Sequence, residues 1–114
     1  MKLLTEKIIK DFKKYPYHSQ DDVKPMDKKV LVKFFNPYGV GTWIITEAEW
    51  DEEAKDWIMY GLAELGYGYE WGYVSFNELN NIRVKVFGTR LPLERDMYIG
   101  NCKVKDLVLE SELM

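Results

Sequence analysis

Residues 30–46, which read VLVKFFNPYGVGTWIIT, decide the fold of this chain. β-Branched and aromatic residues fill positions 30–35 and 42–46, and such residues favour extended strands. The Asn-Pro-Tyr-Gly run at positions 36–39 is a turn signal. The stretch therefore predicts two strands joined into an antiparallel hairpin.

One helix is predicted upstream of this hairpin. Apolar side chains recur at helical spacing and predict an amphipathic helix over about residues 6–14. We expect it to end before Pro16, because proline disfavours helical geometry in the residue that precedes it. Residues 15–29 are polar and are predicted to form a connecting loop.

Further strands and a second helix are predicted downstream. Residues 57–63 have the composition of a third strand, and residues 72–74 that of a short fourth strand. Ser75 and Glu78 have the spacing of a capping box, in which the serine hydroxyl and the glutamate carboxylate each accept from the other residue's backbone amide. A short helix should therefore follow the fourth strand. Residues 93–99 alternate as a further strand does.

These elements place the chain in the α+β class, with a mainly antiparallel sheet of four to five strands. A length of 114 residues suits a single domain over residues 1–114, and a 46% hydrophobic content is ample for a core. No apolar stretch is long enough to span a membrane, and charges near the N-terminus interrupt any signal peptide. We expect a cytoplasmic protein.

Acidic side chains are concentrated in the middle of the chain. Residues 34–78 carry nine acidic side chains and one basic one, Lys55. Six of the nine lie within ten residues, and they are Glu47, Glu49, Asp51, Glu52, Glu53 and Asp56. We expect an acidic loop that repels phosphate backbones and attracts basic proteins. The alternative is a solvated loop that only keeps the protein soluble.

Trp50 favours binding over solubility as the role of this stretch. The indole lies between Glu49 and Asp51, and a tryptophan among polar groups is a frequent anchor at protein interfaces. The alternative is that the ring folds back over the sheet edge as a lid. The predicted binding residues are Glu49, Trp50, Asp51, Glu52, Glu53 and Asp56.

A second candidate site consists of charged residues beside predicted strands, namely Glu47, Glu70, Arg95 and Asp96. Two converging carboxylates would serve as general acid and base or hold a hard cation, and arginine would clamp an anion. The alternative is that Glu94, Arg95 and Asp96 form an ion-pair group that braces the sheet against a neighbouring loop. One histidine and one cysteine make neither a histidine cluster nor a cysteine-based zinc site. We assign no catalytic residue, metal site or cofactor.

The chain resembles domain-of-unknown-function family 2958 in stretches that occur in the expected order. These are LLT at 3–5, VKFFNP at 32–37, TW at 42–43, TE at 46–47, YGL at 60–62, EWGYVS at 70–75, EL at 78–79 and LERDMY at 93–98. The resemblance implies a small protein of bacterial plasmids, phages and integrative elements. Such accessory proteins commonly have antirestriction or anti-CRISPR functions. The resemblance implies no reaction and no catalytic residue.

Two functions from different classes remain open. The first is a noncatalytic protein-binding module whose partner has a basic surface, with a host defence nuclease as one such partner. The second is a small enzyme or ligand-binding protein that uses the carboxylate and arginine site. We favour the first, because the sequence lacks an ordered nucleophile, a metal-ligand set and a phosphate loop. We expect no direct contact with nucleic acid and none with membranes.

Overall fold

The computed structural model describes residues 1–114 and contains one five-stranded sheet, one two-stranded sheet and two α-helices. In chain order the elements are α1 Glu6–Lys14, β1 Val32–Phe35, β2 Thr42–Asp51, β3 Asp56–Glu64, β4 Tyr69–Ser75, α2 Phe76–Asn81, β5 Arg83–Val86, β6 Thr89–Pro92 and β7 Glu94–Arg95. The large sheet has the order β4-β3-β2-β1-β7, and every pair in it is antiparallel. The predicted α+β class is confirmed.

Helix α1 has the predicted bounds because its ends carry the expected signals. Thr5 caps the first turn by accepting a hydrogen bond from the amide of Ile8 at 3.3 Å. The helix ends at Lys14, two residues before Pro16. Ile8 and Phe12 are buried against the sheet. None of the helices is both long enough and apolar enough to cross a lipid bilayer.

The first hairpin also forms as predicted, with Phe34 opposite Trp43. Strand β2, however, runs to Asp51 instead of ending at Thr46, so the prediction of an acidic loop was wrong. Only residues 52–55 form a turn. Side chains alternate across a strand, so the carboxylates of Glu47, Glu49 and Asp51 lie on the face opposite Ala48, which packs into the core under α1.

The large sheet buries apolar side chains on both faces. One face, which we call the helix face, packs against α1 and α2, and the core between them includes Phe12 of α1 and Trp43, Trp57 and Met59 of the sheet. The opposite face carries a smaller core under the C-terminal segment, which consists of Val30, Ile44, Leu62, Tyr69, Cys102, Val104 and Val108. Trp43 and Trp57 are core residues, whereas Trp71 is half-buried at the edge of the second core.

The last predicted strand is much shorter than residues 93–99. Only Glu94 and Arg95 pair with β1. The amide of Asp96 still donates to the carbonyl of Lys33 at 2.9 Å, but its carboxylate then accepts from the amide of Tyr98 at 2.9 Å. An aspartate that binds the backbone two residues ahead makes a turn. Strand β7 therefore ends there.

Candidate binding surface on the acidic hairpin

The exposed acidic residues lie where β2 turns into β3. We call residues 49–55 the hairpin tip. Four exposed carboxylates lie on it, those of Glu49, Asp51, Glu52 and Glu53. Of these, Glu52 alone has a cationic partner within 4 Å, which is Lys55. The pKa of Glu52 is lowered from its ordinary value, mainly by the hydrogen bond from Lys55 and next by the hydrogen bond from Trp50. Three carboxylates of the tip are thus left without an ion pair.

Trp50 is held at the tip while 45% of its surface is exposed. Its ring meets Trp57 edge to face, with the centroids 5.5 Å apart, and its indole Nε1 donates to Glu52 Oε2 at 2.7 Å. The indole is therefore fixed in position before any partner arrives. A pre-positioned aromatic side chain loses less conformational entropy on binding than a mobile one.

An open groove of about 650 Å³ begins at Trp50 and runs between α1 and the hairpin. Its lining is mainly apolar and consists of Ile9, Phe12, Lys13, Pro16, Ala48, Glu49, Trp50 and Trp57. Lys13 and Glu49 are the charged residues of this lining. The groove therefore offers an apolar surface directly beside the unpaired carboxylates of the hairpin tip.

Two of the acidic residues of β2 bind backbone amides of the segment that follows α1. Glu47 is 3% exposed, and its carboxylate accepts from the backbone amides of His18 at 3.1 Å and Gln20 at 2.9 Å. Glu49 accepts from the amide of Tyr17 at 3.1 Å. These bonds fasten the segment that follows α1 to strand β2.

Asp56 is likewise buried and does not belong to the exposed surface. Its carboxylate accepts from the hydroxyl of Ser75 and from the amide of Asn77, the latter at 2.9 Å. Ser75 caps α2 as predicted, since its hydroxyl accepts from the amide of Glu78 at 3.1 Å. The predicted reciprocal bond, in which the Glu78 carboxylate accepts from the Ser75 amide, is not formed. Asp56, from strand β3, binds the start of this helix instead.

The residues of the second candidate site do not converge. Glu70 lies on β4, whereas Arg95 and Asp96 lie at β7 on the other edge of the sheet. Four strand spacings separate those edges, which is about 19 Å. Arg95 donates to the carbonyl of Lys2, and Asp96 pairs with Lys33 at 3.8 Å. No group of three or more His, Cys, Asp or Glu side chains has the arrangement of a metal site.

Aromatic side chains line the opposite face of the sheet next to the hairpin tip. The ring centroids of Trp71 and Tyr60 are 5.7 Å apart, those of Tyr60 and Tyr73 are 4.9 Å apart, and those of Tyr73 and Tyr17 are 5.4 Å apart. We call these four residues the aromatic row. Alternation along β4 puts Trp71 and Tyr73 on one face, and the pairing of β3 with β4 puts Tyr60 opposite Tyr73. Nothing in the sequence brings Tyr17 to them.

The protein surroundings of the aromatic row disfavour negative charge on its phenols. The pKa of Tyr17 is raised to about 12, first by burial and next by the carboxylate of Glu49. The pKa of Tyr60 is also raised, first by burial and then by Tyr73 and Glu47. The hydroxyl of Tyr17 donates to the carbonyl of Ile58 at 2.6 Å, which fixes its ring.

The one cysteine and the one histidine of the chain lie in different surroundings. Cys102 is buried in the second core, and that burial raises the pKa of its thiol, which opposes formation of the thiolate. His18 is exposed and binds the carboxylate of Asp21 at 2.8 Å. Cys102 is therefore a packing residue of the second core.

A sequence model of the family described as "Protein of unknown function (DUF2958)" matches residues 3–104 of the 114. The chain therefore belongs to the DUF2958 family, in agreement with the resemblance seen in its sequence. No curated protein and no solved structure matches the chain.

Proposed function

We propose that the protein is a noncatalytic binding module that holds a basic protein partner at its hairpin tip. The observation that carries this proposal is Trp50, which is nearly half exposed among carboxylates that have no ion pair. Exposed carboxylates speed the approach of a basic partner, and a fixed aromatic side chain slows its departure. Both properties occur together at this one place on the surface.

The groove beside Trp50 supplies the apolar part of the proposed interface. An apolar side chain of the partner would pack against Ile9, Pro16 and Trp50, where it is removed from water. Basic side chains on either side of that anchor would meet Glu49, Asp51 and Glu53. A partner segment with one apolar residue flanked by basic residues would satisfy both requirements.

The mobile-element context that the family resemblance implies points to the partner's class. We propose a nuclease of a host defence system, because the nucleic-acid groove of such an enzyme is basic and would attract the hairpin tip. The protein would then act in the cytoplasm and without binding nucleic acid itself. The alternative, an enzyme or ligand binder that uses Glu47, Glu70, Arg95 and Asp96, gains no support from residues that lie this far apart.

The test compares the wild-type chain with a tip-neutral variant that carries Glu49→Gln, Asp51→Asn, Glu52→Gln and Glu53→Gln. Asp56 is left unchanged because it caps α2. The wild-type chain is used to capture proteins from the host cell, and a captured partner is purified and its binding to both chains is measured. Its association rate should fall as salt rises, and Trp50→Ala should mainly speed dissociation.

Tyr98→Ala is the matched control, because Tyr98 is 90% exposed and lies beyond β7 at the other edge of the sheet. This control should bind the partner as the wild type does. The tip-neutral variant should keep its fold, because exposed charges contribute little to stability and the Gln and Asn side chains keep an oxygen that can accept from the amides of Tyr17 and Ala54. Circular dichroism would verify the fold. A partner that binds the folded tip-neutral variant with unchanged rate and affinity would contradict the proposal.

A further inference from the structure

The aromatic row already holds one cation, and that cation comes from the protein itself. The Nζ atom of Lys28 lies 5.2 Å from the centroid of the Trp71 ring, which is within the range of a cation–π contact. Trp71 is one end of the row, and it stacks on Tyr60 with an angle of 15° between the ring planes. This end of the row is therefore occupied by a positive charge.

The other end of the row has rings and carboxylates but no cation. Tyr73 is 63% exposed there and packs edge to face on Tyr17. Glu49 accepts from the amide of Tyr17, and alternation along β2 puts Asp51 on the same face of the sheet as Glu49. Neither carboxylate has a basic side chain within 4 Å. This end of the row therefore lacks the positive charge that Lys28 supplies at the other end.

We infer that this end of the aromatic row binds an arginine side chain of the basic partner, with the guanidinium lying on Tyr73 and its N–H groups directed at Glu49. The inference rests on the proposed function and adds the side chain by which the partner is recognised. It also gives the hairpin two contact surfaces, since Trp50 lies on the helix face and Tyr73 on the opposite face.

Arginine fits this end better than lysine for a geometric reason. A guanidinium is flat and weakly hydrated, so it stacks on a ring while the N–H groups at its edge donate to carboxylates. A lysine ammonium is compact and strongly hydrated, so it gains less from the same ring. Single-stranded nucleic acid also stacks on aromatic rows, but its phosphates would be repelled by the adjacent carboxylates.

The probes are two capped peptides of equal length, one with alternating arginine and glycine and one with lysine in place of every arginine. Binding to the isotopically labelled full chain is followed by nuclear magnetic resonance, which gives both the affinity and the amides that respond. We expect the arginine peptide to bind about three- to tenfold more tightly than the lysine peptide. The responding amides should include those of Tyr60 and Tyr73.

Three substitutions distinguish a cation–π contact with the Tyr73 ring from apolar contact alone. Tyr73→Leu keeps an apolar side chain but removes the ring, so it should weaken arginine-peptide binding about three- to tenfold and abolish the preference over lysine. Tyr73→Phe keeps the ring face and should retain the binding. Tyr98→Leu removes an exposed tyrosine at the far edge of the sheet and should change nothing.

Equal binding of both peptides, lost in the tip-neutral variant but unaffected by Tyr73→Leu, would overturn the arginine inference and leave the basic-partner proposal standing. The absence of binding by either peptide would also overturn the inference, while the proposed function would still be decided by the captured partner. A single-stranded oligonucleotide that bound the row more tightly than the arginine peptide would overturn it as well.

Discussion

Glu47 and Gln20 are joined by a buried hydrogen bond, in which the carboxylate accepts from the backbone amide of Gln20 at 2.9 Å. The Gln20 side chain in turn donates to the carbonyls of Thr46 at 2.8 Å and Lys29 at 3.0 Å, and it accepts from the Lys29 amide at 2.7 Å. These bonds give the polar segment between α1 and β1 partners for backbone groups that would otherwise be buried unpaired.

Glu47→Ala should therefore destabilise the fold strongly. Two backbone amides, those of His18 and Gln20, would lose a charged acceptor inside the protein. We expect a loss of about 2–4 kcal/mol in the free energy of unfolding, measured by urea denaturation, and a smaller loss for Glu47→Gln, which keeps one oxygen acceptor. A loss under about 0.5 kcal/mol for the alanine variant would show that water replaces the carboxylate at little cost.

A second prediction concerns the start of α2, where Ser75 and Asp56 each accept a hydrogen bond from a backbone amide. Ser75→Ala removes the cap on the Glu78 amide and should cost about 1 kcal/mol. Asp56→Ala removes the acceptor of both the Ser75 hydroxyl and the Asn77 amide, and should cost about 2–3 kcal/mol. The double variant should cost less than the sum of the two, because the residues are in contact.

Glu78→Gln is the matched control for this pair, because the Glu78 carboxylate makes no return bond to Ser75. It should change the unfolding free energy by less than about 0.5 kcal/mol. A larger loss would mean that the reciprocal capping box forms in solution.

The elements that could be predicted from sequence are those whose signals are local. Helix α1 is defined by its cap, its apolar spacing and Pro16, all within twelve residues, and the β1–β2 hairpin by its turn. The acidic stretch was wrongly predicted as a loop, because its high charge drew attention away from the alternation of apolar and acidic residues that indicates a strand. Ala48 and Trp50 alternate there with Glu47, Glu49 and Asp51, as in a half-buried strand.

The candidate surfaces were less predictable because they depend on strand register. The contact between Tyr60 and Tyr73 exists only because β3 and β4 pair with these residues opposite each other. Tyr17 joins them from the segment after α1, through a bond to the Ile58 carbonyl 41 residues away. The carboxylates of Glu47 and Asp56 are buried because they bind groups that are distant in sequence. Composition alone does not reveal these partners, so both residues were predicted to lie on the surface.

Two paired glycines on neighbouring strands give a third prediction. Gly61 on β3 lies opposite Gly72 on β4. A Cβ at Gly61 would overlap the carbonyl oxygen of Ile44, next to the bulge that β2 forms between Ile45 and Glu47. A Cβ at Gly72 would meet nothing within 4 Å. The same chemical change therefore has opposite consequences at the two positions.

Gly61→Ala should destabilise the chain by about 2 kcal/mol or more, since backbone atoms must move to admit the methyl group. Gly72→Ala should be neutral or stabilising by up to about 1 kcal/mol, because alanine has less conformational freedom to lose on folding. Thermal unfolding of the two variants beside the wild type checks both. Equal melting temperatures for the two variants would rule out the close approach at Gly61.

The alkaline limit of stability should depend on Tyr17. Its pKa is about 12 in the folded chain against an ordinary value of 10.0, first because burial disfavours the phenolate and next because of Glu49. The folded state thus binds this proton more tightly than the unfolded state does. The stability that results is fully present below pH 10 and is lost as the pH rises from 10 towards 12.

Tyr17→Phe removes this titration along with the hydrogen bond to the Ile58 carbonyl. At neutral pH the variant should be less stable by about 1 kcal/mol. Between pH 10 and 12 the difference should narrow, because the wild type loses stability through Tyr17 and the variant does not. Urea denaturation at a series of pH values measures the difference directly. A gap that stayed constant across this range would show that Tyr17 ionises equally readily in the folded and unfolded chains.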